Sequence, residues 1–249
     1  MNPRFKQMLK RLFGAQIIAI RAIRSHYRYK DGVPSYSQEG EDRILAALLI
    51  KLDGGPLPGN GCYIDVGAHD PFRFSNTYLF YKQGWCGINI DAAPGSMRRF
   101  ATHRPRDINL EIGVGRERSS ATFFVFNEPA LNTFDEGLAR ARSHAPWQIT
   151  AKVPVEVMPL REILARHLRD GRRIDIMSID VEGRDMEVLR SNDWSKFRPR
   201  ILVVEILGKS FSEAAEDPIA VFLRERNYAF FSKTVNTAIF VDRALLSSN

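Results

Sequence analysis

Tyr63-Ile64-Asp65-Val66-Gly67-Ala68-His69-Asp70-Pro71 reads as a buried strand that ends in an acid, breaks at a glycine-containing turn and leads to a helix after Ser75-Asn76-Thr77. A short apolar run bounded by turn residues is a core strand. In a doubly wound α/β sheet, ligands bind beyond the carboxyl ends of the strands at the switch point, where such a turn would lie. Gly67 lets the backbone approach a bound group closely. The turn lacks G-x-G-x-x-G and has no phosphate-cradling lysine, which argues against a pyrophosphate and so against NAD and ATP. An uncharged or cationic nucleoside fits better, with Asp65 facing an amino-acid or sulfonium end. In isolation, the same residues also fit an ordinary strand-to-helix turn, so the flanking segments decide.

Outward from this stretch, strand and helix signals alternate. Toward the N-terminus, Ser37 caps a predicted helix over 37–50, with Ile44, Leu45, Leu48 and Leu49 on its apolar side. Toward the C-terminus, strands are predicted at 86–91, 108–112, 174–179 and 201–206. Helices are predicted at 77–83, 96–103, 160–168, 184–190 and 218–226. Residues 121–126 and 152–157 are further β segments separated by a longer insert, and 228–233 with 237–241 form a closing hairpin. Short apolar runs alternating with helices imply a parallel sheet covered on both faces, here with an antiparallel edge.

Several strands deliver acids to one rim. Gly87-Ile88-Asn89-Ile90-Asp91 places Asp91 26 positions after Asp65, about one βαβ step, where a carboxylate accepts both hydroxyls of a ribose. Ile174-Asp175-Ile176-Met177-Ser178-Ile179-Asp180-Val181-Glu182-Gly183 brings Asp180 and Glu182, and Ile201-Leu202-Val203-Val204-Glu205 brings Glu205. Any one of these acids is explained as a helix N-cap. Four together at the ligand-binding edge of one sheet are not.

The chain resembles the FkbM-type family of S-adenosylmethionine (SAM) dependent methyltransferases. The resemblance rests on Ser37-Gln38-Glu39-Gly40-Glu41-Asp42, the Tyr63-to-Pro71 turn, Ser75-Asn76-Thr77, the strand ending at Asp91, the Ser178-to-Gly183 segment and residues 236–241. It implies a Rossmann-like seven-stranded sheet, SAM as methyl donor and oxygen methylation of sugars or small metabolites. It also implies that Asp65, Gly67 and Ala68 form the SAM loop, that Gln38 and Asn76 join the cofactor set, that Asp91 holds the ribose, and that Glu111-Ile112-Gly113 borders the adenine.

Methyl transfer from a sulfonium is an in-line displacement governed by alignment. A sugar hydroxyl also needs a base, or a metal that lowers its pKa. Asp180, Glu182, Glu205 and His69 are the candidates. Oxygen ligands from two or three carboxylates suit Mg²⁺, but a metal-free site is preferred because the sequence shows no clear third ligand. Most of Phe72, Phe74, Tyr78, Phe80, Tyr81 and Trp85 are expected to pack the core, with an aromatic wall for a ligand as the sharper alternative. His144 and Asn132 lie in the insert, where polar residues are ordinary.

The 249 residues, 44% hydrophobic and 26% charged, suit a globular domain. Residues 1–30 hold eight of the 36 basic side chains and no acid, so the remainder carries 28 basic against 29 acidic groups. The net charge of +7 therefore belongs to an extension on a near-neutral domain spanning 31–249. That balance disfavours a nucleic-acid partner, which wants a basic face on the folded body. Within the extension, Phe5, Leu9, Leu12, Phe13, Ile17, Ile20 and Ile23 share one helical face, opposite Lys10, Arg11, Arg21 and Arg28. This is the pattern of a helix lying in an anionic membrane interface, which implies a cytoplasmic protein at the inner face of the membrane. Packing on the domain or on a second subunit of a homo-oligomer is the plainer alternative. An RNA methyltransferase with a basic arm and a non-catalytic membrane scaffold are the competing functions. Cys62 and Cys86 sit in no metal motif and read as two reduced, buried thiols.

Overall fold

The computed structural model describes residues 33–246. Two neighbouring parallel strands set the frame: β1 (Cys62–Val66) runs beside β2 (Cys86–Asp91), in register from Cys62 opposite Cys86 to Val66 opposite Ile90. Beyond β2 lies β3 (Ile108–Glu111). Three further strands, β4 (Gly113–Val114), β5 (Ser119–Phe126) and β6 (Ile149–Met158), leave this sheet. On the other side of β1 stand β7 (Ile176–Ile179) and β8 (Ile201–Glu205), then the hairpin of β9 (Tyr228–Lys233) and β10 (Thr237–Asp242). The seven-stranded order is β3-β2-β1-β7-β8-β10-β9, with β10 antiparallel to both β8 and β9. The chain winds outward from β1 to β3, then restarts at β7, so the switch point falls between β1 and β7.

The period of two along the strands sends side chains to two cores. Ile64, Val66, Ile88, Ile90, Met177 and Ile179 face α5 (Leu160–His167), α6 (Asp185–Ser191) and α8 (Pro218–Arg224), which contribute Leu164, Val188 and Leu223. Tyr63, Ile176, Ile201, Val203 and Ile239 face α1 (Glu41–Asp53) and α2 (Tyr78–Lys82), which contribute Leu45, Leu49 and Phe80. Strands buried on both faces explain the unbroken apolar runs. α3 (Met97–His103) completes the unit between β2 and β3, and a short α7 (Phe211–Ala215), not anticipated from the sequence, follows β8.

The two β segments after β3 do not join the central sheet. β5 pairs antiparallel with β6, and β4 adds parallel to β6. Their residues are mostly exposed or half-buried, as suits strands with only one covered face. The insert between β5 and β6 carries α4 (Glu136–Arg142).

Three local expectations are corrected. The first helix starts at Glu41, not at Ser37, whose hydroxyl instead accepts from the Asp42 N–H at 3.2 Å. β3 ends at Glu111, one residue early, and the Ile112 N–H to Asp91 carbonyl bond at 3.0 Å is the last rung of its ladder. Cys62 is buried but Cys86, at the start of β2, is exposed, and both are free thiols. The basic extension over residues 1–30 lies outside the described residues. Among those described, no helix is long and apolar enough to cross a membrane.

Candidate active site

A cleft of about 740 Å³ opens beyond the carboxyl ends of β1, β2, β7 and β8. Gly67, Asp91, Asp180 and Glu205 border its floor, and Phe123, Leu131 and Phe134 of the second sheet and insert form an opposing apolar wall. Gly67 has φ 83°, and a β-carbon there would collide with the carbonyl of Asp180. The Asp180 N–H in turn donates to the Val66 carbonyl at 2.9 Å. Glycine is thus required for the turns after β1 and β7 to pass each other at the switch point, whatever the turn also offers a ligand.

Asp91 is held from both sides. His69 N–H donates to Oδ2 at 2.9 Å and Ala93 N–H to Oδ1 at 2.8 Å. Each oxygen keeps further acceptor capacity, a donor-seeking pair at the cleft border that fits vicinal hydroxyls. Burial pushes the Asp91 carboxyl up, while the two backbone donors draw it back.

Asp65 lies beneath this surface, not among the residues lining the cleft. Thr77 Oγ1 donates to its Oδ2 at 2.6 Å and accepts from Arg104 Nη2 at 2.9 Å. Arg104, fully buried, also donates from Nε to Asp107 at 2.9 Å. Asp107 further receives the Tyr63 hydroxyl at 2.6 Å, the Gly87 N–H at 2.9 Å and the Asn89 amide at 2.9 Å. Burial raises the Asp65 carboxyl and the Arg104 charge opposes it. Arg104 and Asp107 were not anticipated. Their one sequence signal is Asn89, a polar residue in mid-strand that needs a buried partner.

At the other end, Asp180, Glu182 and Glu205 bring carboxylate oxygens within 4.8 Å of one another. Glu182 has φ 53°, a left-handed conformation that side chains disfavour, and Gly183 follows at φ 97°. Thr133 of the insert donates to the Glu182 carbonyl at 2.8 Å. Arg142 on α4 pairs with Glu182 at 2.6 Å, and its Nη1 is buried with no partner among the described residues. Glu205 is pushed up to about 10 by burial and then by the charges of Asp180, Glu182 and Asp185. Asp180 is raised well above the usual carboxylate range by burial and Glu182. Glu182 is also raised by burial, against the pull of Arg142. Sequence reasoning sets Mg²⁺ aside for want of a third ligand; the structure gathers three hard oxygen donors.

The remaining residues divide. His69 and Gln38 line the cleft; burial lowers the imidazole, so it stays neutral near pH 7. Ala68 is buried and Asn76 donates to Ser178 at 3.1 Å, both outside the lining set. Glu111 is exposed on the edge strand, while Ile112, Gly113 and Val114 border the cleft in its place. Asn132 lines the cleft and His144 does not. Phe80, Tyr81 and Trp85 are core, whereas Phe74 reaches the cleft.

A seven-stranded sheet of this order, with a C-terminal antiparallel hairpin and a ligand-sized cleft at its switch point, is the Rossmann-like fold of methyltransferases. The profile of the FkbM methyltransferase domain matches residues 65–230, and the chain belongs to this family. Among solved structures, the chain is similar to the FkbM methyltransferase of Methylobacillus flagellatus KT, at 13% identity and a TM-score of 0.44 over 74% of this chain; it spans 44% of that protein's length. It is also similar to a TehB-like SAM-dependent methyltransferase of Corynebacterium glutamicum, at 12% identity and a TM-score of 0.38, covering 90% of this chain and 97% of that one. None of the curated proteins matches the chain.

Proposed function

We propose that this methyltransferase uses SAM to methylate an oxygen, a sugar hydroxyl of a lipid-linked surface glycan or of a small glycosylated metabolite, and that residues 1–30 hold it at an anionic membrane surface. The observation that carries the chemistry is one cleft with two unlike ends. A backbone-anchored carboxylate, Asp91, stands at one, and three crowded carboxylates stand at the other.

SAM supplies an electrophilic methyl group on a sulfonium. Toward it, Asp91 offers acceptors to the ribose hydroxyls, and Ile112 with Gly113 offers an apolar border for the base. Asp65 acts from below by fixing Thr77 at the start of α2. Near the transferred group, like charges within 4.8 Å cannot all be ionised cheaply, so one of Asp180 and Glu205 holds a proton and the other accepts. A carboxylate whose pKa has been lifted toward neutrality is a better base for a hydroxyl than an ordinary surface acid. Arg142 favours the ionised form of Glu182 against the effect of burial. His69 is a neutral imidazole in the same cleft and a second acceptor for that proton.

The third carboxylate favours a second reading, in which Asp180, Glu182 and Glu205 hold Mg²⁺ and the metal lowers the hydroxyl's pKa. Transfer of labelled methyl from SAM into a membrane glycolipid fraction, with and without chelator, tests both. Label in a glycan hydroxyl supports the proposal, loss under chelation selects the metal, and label in RNA or nowhere overturns it. Liposome flotation of the full chain against one beginning at Asp31 tests the membrane role: equal flotation refutes it.

A further inference from the structure

We propose that Phe134, carried on the insert and not on the Rossmann-like core, is an adenine-contacting residue that covers the nucleoside end of the cleft. This rests on the reading that SAM is the donor. Three observations place the ring. First, the segment is pinned: Thr133 makes a two-way backbone bridge with Phe124 of β5, at 2.9 and 3.2 Å. Thr133 Oγ1 also reaches the Glu182 carbonyl at 2.8 Å. Second, Phe134 lies against the strand end that follows the ribose carboxylate. Ile112 N–H donates to the Asp91 carbonyl at 3.0 Å, and a β-carbon on Gly113, the next residue, would stand 2.7 Å from Phe134 Cζ. Third, the ring borders the cleft while held by neighbours, with the Arg184 guanidinium 5.8 Å from its centroid. Phe123 supports it with centroids 4.7 Å apart, and both rings line the cleft.

These positions say which residues would hold a bound nucleoside. A ribose held by Asp91 points its base toward Ile112 and Gly113, because those residues continue from the strand paired with β2. Phe134 stands beside that spot, half-buried and at the border of the cleft. A flat, poorly hydrated base opposite an aromatic face gains stacking energy that alanine forfeits. Gly113 has no side chain, so the ring seats directly on the backbone. Because the segment bearing Phe134 also binds the Glu182 turn, base contact and the acidic rim share one support.

Calorimetry with S-adenosylhomocysteine and with adenosine tests the assignment. Phe134→Ala is expected to weaken both ligands about tenfold, since the lost contact is to the base they share. Phe134→Leu keeps apolar volume without a ring and is expected to weaken both by a smaller factor, with an unchanged melting temperature. Phe134→Trp is expected to retain wild-type affinity. Unchanged affinity in both Phe134→Ala and Phe134→Leu overturns the assignment, and so does a loss confined to S-adenosylhomocysteine. Should the wild-type chain bind neither ligand, the SAM reading itself fails and this assignment falls with it; wild-type binding with indifferent variants rejects the assignment alone.

Discussion

Among the described residues, two carboxylate clusters are built on opposite principles. Beneath β1 and β2, Asp107 receives Arg104, Tyr63, Asn89 and the Gly87 N–H, and Asp65 receives Thr77, which Arg104 in turn holds. Beyond β7 and β8, Asp180, Glu182 and Glu205 crowd within 4.8 Å with one guanidinium among them. Neither Asp65 nor Asp107 borders the cleft. The second is held in mutual repulsion, which a protein tolerates only where the charges have a use. The buried acids brace the cleft from below, and the crowded acids are those proposed to act in it.

The largest expected effect lies in the bracing cluster. Arg104→Met leaves two buried carboxylates without their cation and should cost about 3–5 kcal/mol in chemical denaturation. A loss under about 1 kcal/mol would break the comparison. Next comes Asp180→Asn, which should lower methyl transfer about a hundredfold by removing the accepting carboxylate; Glu205→Gln, which mimics the protonated side chain, should leave stability at neutral pH unchanged or higher by about 1 kcal/mol.

The pH dependence follows from the same group. The folded state raises Glu205 from 4.5 to about 10, so it favours the protonated form. That contribution is present below pH 4.5 and is lost as pH rises toward 10. Stability measured between these limits should therefore decline less steeply in Glu205→Gln than in the wild type; identical slopes would contradict the crowding. A smaller contrast sits within one helix. Arg142→Met removes a charged donor from Glu182 and should cost about 1–2 kcal/mol. Arg140→Met breaks an exposed pair with Glu136 and should leave the melting temperature unchanged.

Asp91, Asp180 and Glu205 were legible as cleft-side acids because each follows an apolar run; Asp65 follows one too, yet lies beneath the cleft. The seven strands were legible for the same reason: β2 was placed at residues 86–91 from Cys86-Gly-Ile-Asn-Ile-Asp alone. The bracing cluster was not. Arg104 sits in His103-Arg104-Pro105-Arg106, which has the composition of a surface loop, and only the packing of α3 against β3 turns that guanidinium inward to 0% exposure. Arg142 was missed because the insert's position over the β7 turn depends on contacts such as Thr133 to Glu182, 49 residues apart. Glu111 was overweighted as an adenine neighbour: its strand is the sheet edge, so its side chain meets solvent while Ile112 turns in.

Calorimetry of S-adenosylhomocysteine with the wild type, Asp91→Ala and Asp180→Asn tests the division of the cleft most directly. Tight binding by the wild type, kept in Asp180→Asn and lost by at least tenfold in Asp91→Ala, is the predicted result. Equal losses in the two variants, or no binding by the wild type, would contradict it.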